Sequence, residues 1–158
     1  MTEIKEILKM TQMSKASIEK CASFVPKDKW AWRPSETARS AQQSMGHAAT
    51  SVQMMTKVLK GEKIDFSGMD HGKIRKAEEK QARTFEEGKE LLGRSWKEFE
   101  ETVNRLSAAD LKKTVEMPWG RRTYADIVKD TGWELSYIFA QLQYLQTIWG
   151  DLEDHFAM

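Results

Sequence analysis

The chain has 158 residues, enough for a single domain whose core needs no covalent staples. Its 25 basic residues against 24 acidic ones argue against bulk electrostatic capture by nucleic acid or an anionic membrane. Cys21 is the lone cysteine, which excludes an intrachain disulfide, and no apolar run approaches the roughly 18 residues that span a bilayer, so a cytoplasmic protein is expected.

The opening residues, Met1 to Glu6, are amphipathic and acidic and do not read as a signal peptide. Ile4, Leu8, Thr11, Ile18 and Ala22 recur at helical spacing, which predicts a first helix over about residues 2–23, ending before Pro26. A loop over residues 24–37 carries Trp30 and Trp32. Within it, Pro34 fixes its own φ and biases Arg33 away from helix. Ser40-Ala41-Gln42-Gln43 has capping-box spacing, so a second helix is predicted over about residues 41–60, stopped by Gly61. His47 then lies about two turns inside it. Met45, Ala48, Val52, Met55 and Leu59 form one stripe and His47, Met54 and Val58 another, so this helix is expected to be contacted on two sides.

Residues 62–76 show no steady period and hold Gly68 and Gly72, which predicts a long connection, mobile over residues 67–72. A third helix is predicted over about residues 76–106, with Phe85, Leu92, Trp96, Phe99, Val103 and Leu106 on its buried stripe. Ser107 to Asp110 reads as a cap and a single turn. Thr114, Val115 and Met117 before Pro118-Trp119-Gly120 predict a small hairpin. Thr123-x-x-Asp126 then caps the last helix, whose apolar positions run from Ile127 to Trp149 and which is expected to end near Gly150. Four long helices with short links imply an all-α antiparallel bundle, one domain over residues 1–158. Six tryptophans and nine methionines require large pockets or grooves to hold them.

Trp32-Arg33-Pro34, Ala38-Arg39-Ser40 and His47, in that order, resemble the start of the second helix in the DinB-like (DinB/YfiT) four-helix bundles. Pro118-Trp119-Gly120 and Gln141-Leu142-x-Tyr144-Leu145 are similar to the same family's closing segment. The resemblance covers nearly the whole chain. It implies a divalent metal site of zinc, nickel or iron type, built from one histidine of the second helix and two of the last helix, four residues apart. Residues at i and i+4 share a helix face and can both reach one ion, leaving open positions for water or substrate. His47 matches the first ligand. The other two positions hold Glu134 and Ile138, and Phe139 and Ala140 replace the basic and small residues that usually follow. Ile138 has no lone pair and continues the apolar stripe from Leu135 to Leu142.

No cofactor is therefore expected, and the favoured reading of His47 is a neutral, partly buried, hydrogen-bonded imidazole; Glu134 reads as a solvated helix-face carboxylate, with a contact to His47 across the bundle as the alternative. The acidic row Asp126, Asp130 and Glu134 reads as a charged outer face rather than a cation site. Trp30 and Trp32 read as locks of a loop over the core, with a pocket mouth as the functional alternative for both. Arg33 and Arg39 read as surface ion-pair partners, and Cys21 as a buried inert thiol. His71 and His155 have no spacing that completes a site with His47.

Two functions follow from the resemblance. The first is a non-enzymatic or small-ligand-binding member without a working metal site, its binding positions His47, Glu134, Trp32 and Ile138. The second is a metal-dependent enzyme of thiol S-transferase or hydrolase type, with His47 and Glu134 on the ion. A homodimer that buries part of the aromatic surplus is a further expectation.

Overall fold

The structure is a computed structural model and describes residues 2–157. Five helices, α1 (Thr2–Ser23), α2 (Ala41–Leu59), α3 (His71–Gln81), α4 (Phe85–Arg105) and α5 (Tyr124–Ile148), surround a shared core, and one hairpin, β1 (Thr114–Met117) and β2 (Gly120–Thr123), precedes α5. The expected all-α bundle with a small hairpin is what forms. No described helix is long and apolar enough to cross a membrane.

Local chemistry fixes where the long helices begin. Ser40 accepts from the Gln43 amide while the Gln43 side chain accepts from the Ser40 amide, closing the capping box at α2. Thr123 and Asp126 do the same at α5. Gly61 and Gly150 take positive φ (82° and 87°) just beyond the ends of α2 and α5, a conformation that side chains with a Cβ resist. The predicted stripes face inward. Met45, Ala48 and Val52 of α2, Leu92 and Phe99 of α4, and Ile127, Leu135, Ile138 and Leu142 of α5 have no exposed surface.

Helix direction departs from the simple antiparallel expectation. Thr11, Ser14 and Cys21 of α1 meet Gly132, Ser136 and Gln146 of α5 in the same order, so these two helices run parallel. Met45, Gln53 and Lys60 meet Gly88, Ser95 and Glu98, so α2 and α4 also run parallel. The antiparallel relation holds between α2 and α5, where His47 faces Glu134 and Gly61 lies beside Tyr124. The link between α2 and α4 is long enough to carry the chain back along α2 before α4 starts. Nineteen residues of α2 span roughly 28 Å, and an extended stretch followed by an eleven-residue helix covers that return.

That return holds the other departures. The connection expected over residues 62–76 becomes helical at His71, where the Asp70 side chain accepts from the amides of Gly72 and Lys73. The helix expected over residues 76–106 is in fact two, broken at Ala82. Ala82 is fully buried and its carbonyl accepts from the Trp30 indole N–H at 3.0 Å. Thr84 then caps α4 by accepting from the Glu87 amide. Trp30 thus locks the first loop onto this break, its ring edge-on to Phe85.

Candidate functional site

The site is assembled by α2, α3 and α5. The Ser40 cap sets His47 two turns into α2, and the Thr123 cap sets Glu134 three turns into α5. Across the antiparallel pair, His47 Nε2 lies 2.9 Å from Glu134 Oε1. On the other edge of the ring, His47 Nδ1 lies 2.8 Å from Glu78 Oε1. Glu78 belongs to α3 and is 1% exposed. Its second oxygen, Oε2, accepts from Arg39 Nη1 at 2.5 Å. Four charged groups therefore run in a line, Arg39–Glu78–His47–Glu134, with alternating sign when the imidazole is protonated.

Gly46 makes this line geometrically accessible. A Cβ at that position would sit 2.5 Å from the Glu78 carbonyl oxygen and 2.9 Å from its Cα. The α3 backbone rests directly on α2 one residue before His47. Gln42 and Gln43 fasten the same turn of α3 through the Glu79 carbonyl (2.7 Å) and carboxylate (2.7 Å).

Burial is the largest single influence on His47 and acts to lower its pKa, but hydrogen bonds to the Glu134 and Glu78 carboxylates outweigh it and hold the value above the ordinary 6.5. Burial likewise pushes Glu78 upward and is overcome by the His47 hydrogen bond and by the charges of His47 and Arg39, so its carboxyl stays below the usual 4.5. These shifts favour a charged imidazole beside an ionised Glu78 rather than the neutral histidine expected from sequence.

His47 and Glu134 open onto a cavity of about 580 Å³, lined also by Ser51, Met54, Met55, Trp119, Arg122, Asp130 and Trp133. The hairpin delivers two of these. The Met117–Gly120 pairing leaves Trp119 at the turn, where its indole N–H donates to Asp130 at 3.2 Å, and Arg122 Nε donates to the same carboxylate oxygen at 3.0 Å. The acidic row is thus divided: Asp126 caps α5, Asp130 holds the hairpin, and Glu134 alone reaches His47.

Of the other residues singled out from sequence, Ile138 is 0% exposed within the core and lines no part of this cavity. Trp32 packs edge-on against Trp149 and is likewise absent from the cavity wall. Arg33 donates to the Glu36 carbonyl, whereas Arg39 is no surface partner, being committed to the buried Glu78. His71 opens α3, and His155 stacks on Phe24 with Nε2 2.8 Å from Asp151. The Cys21 thiol is buried, and burial together with Asp151 and Asp154 pushes its pKa up to about 12. It is not poised as a nucleophile.

The helical periodicity alone does not mark Glu78 or Trp133 as site residues. The signals available for Glu78 were the Asp70 cap and the Thr84-x-x-Glu87 spacing, which together isolate residues 71–81 as a helix of their own.

The donor set does not fit a three-ligand ion site of the kind the resemblance implies. Both ring nitrogens of His47 are engaged by carboxylates on opposite edges, so Glu78 and Glu134 cannot converge with it on one ion. The position that would complete the set, Ile138, offers only hydrocarbon. Among the described residues, no three His, Cys, Asp or Glu side chains are grouped to hold a metal.

Among curated protein sequences none matches this chain. A crystal structure of a DinB-like protein from Bacillus subtilis superposes with a TM-score of 0.66 over 94% of each chain, at 15% sequence identity, a likeness of fold. Residues 11–136 match the DinB superfamily, well over half of the sequence. The chain belongs to the DinB superfamily.

Proposed function

We propose that this DinB-superfamily protein binds a small organic molecule in the cavity beside His47 and Glu134, non-enzymatically and without a metal of the family type. One observation carries the reading. The cavity ends on an imidazole whose two nitrogens are already satisfied by carboxylates, while the place for a further metal ligand is filled by Ile138. Indole and thioether walls with a few convergent polar groups are what small-molecule sites present. The alternative, a metal-dependent thiol S-transferase or hydrolase using His47 and Glu134, lacks a third protein donor.

Elemental analysis of tag-free protein is expected to find no stoichiometric zinc, nickel or iron, and chelator is expected to leave the thermal midpoint unchanged. A cation present at one per chain and lost in His47→Ala would overturn the metal-free reading.

We also propose that two copies pair through the α1–α5 face, where Met10, Trp133, Tyr137 and Phe156 are exposed beside a shallow groove. Sedimentation velocity at micromolar concentration is expected to show a dimer. A monomer there would remove the pairing without touching the ligand site.

A further inference from the structure

The ligand class can be read from how the cavity's charges and rings are arranged, an inference that rests on the small-ligand reading above. Four charged side chains line the cavity, and each is already matched. His47 faces Glu134 at 2.9 Å, and Arg122 faces Asp130 at 3.0 Å. A ligand with net charge would either break one of these pairs or bring an unmatched charge into a partly desolvated space, and both are unfavourable.

The rings point the other way. Trp119 is held in place by its N–H bond to Asp130 and by the edge of Phe66, with ring centroids 6.2 Å apart. Its ring is therefore held at the cavity wall before any ligand arrives, which limits the ordering cost of binding. Trp133 is 71% exposed, stacks on Tyr137 at 6.0 Å, and turns part of its surface to the same cavity. Met54 and Met55 add thioethers, which pack well on aromatic faces. At the polar end, Glu134 uses Oε1 for His47, and a carboxylate has a second oxygen able to accept an N–H.

We propose that the cavity takes an uncharged, flat heteroaromatic molecule that packs on the Trp119 and Trp133 indoles and donates one ring N–H to Glu134. Its occupant is thus selected by ring shape and by the absence of net charge.

Four probes test this by isothermal titration calorimetry against the intact protein. Indole has the ring and the N–H, benzofuran keeps the ring and loses the N–H, tryptamine adds a positive charge, and indole-3-acetate adds a negative one. Indole is expected to bind, with benzofuran measurably weaker and both charged probes weaker by about tenfold or more. Trp119→Leu, at a partly exposed turn, is expected to weaken indole while leaving the far-ultraviolet circular dichroism unchanged. Tryptamine or indole-3-acetate binding as tightly as indole would overturn the charge argument and leave the small-ligand reading standing. Binding of none of the four to folded protein would overturn both. Indole binding undiminished in folded Trp119→Leu would overturn the placement in this cavity.

Discussion

Glu78→Ala is expected to destabilise the protein by about 3 kcal/mol or more, the range found when one member of a buried ion pair is removed and its partners are stranded. The carboxylate is 1% exposed and serves Arg39 and His47 together, so its loss leaves two cationic groups facing a void. The pH dependence carries the sign of the two shifts. His47 is raised above 6.5, so its contribution is complete below 6.5 and fades as pH climbs through the raised value. Glu78 is lowered below 4.5, so its contribution is complete above 4.5 and fades as pH falls through the depressed value. The gap between wild type and variant should therefore be widest between those two ordinary values and should narrow on either side. Urea unfolding across that range, with chelator present, measures it. A gap under about 1 kcal/mol that does not vary with pH would show that the charged line carries no stability.

Why this line was only half legible in the sequence follows from what each member needs. His47 and Glu134 sit on long helices with strong periodicity and clear caps, so their depths could be counted from Ser40 and Thr123. Their meeting required only that α2 and α5 run antiparallel. Glu78 lies on a helix with almost no apolar face, whose one buried residue is Glu78 itself. Hydrophobic patterning cannot find an element that docks through charge and backbone contact. The same blindness merged α3 into α4, since Ala82 is too small to mark the break and Trp30, which fixes it, lies 52 residues earlier. The parallel pairings were hidden for a related reason: a connection read as structureless gave no hint that it returns along α2. Trp32 illustrates the opposite error, in which a suggestive neighbourhood in sequence, close to His47, does not survive folding. Its ring faces Trp149, beyond the C-terminal end of α5.

Gly46→Ala is expected to be the second costly change, at about 2 kcal/mol net. Alanine in place of glycine inside a helix gains about 1 kcal/mol in propensity, which argues for stabilisation. Against it, the new Cβ would meet the Glu78 carbonyl oxygen at 2.5 Å and the carbonyl carbon at 2.9 Å. These are backbone atoms of a neighbouring helix and cannot rotate away, so α3 must lift, and forced repacking of this kind costs about 1–3 kcal/mol. Lifting α3 also draws the Glu78 carboxylate away from His47 and Arg39, so the loss extends past the clash itself and outweighs the propensity gain. Hydrogen exchange separates this from a general loss of stability: amides of residues 71–81 should exchange faster while those of α2 and α5 at the core keep their protection. A cycle with Glu78→Ala supplies the sharper check. If Gly46 matters because it seats Glu78, the double variant should lose clearly less than the sum of the two single changes. Additive losses, or a Gly46→Ala protein more stable than wild type with α3 still protected, would mean that the close approach of the two helices does not support the site.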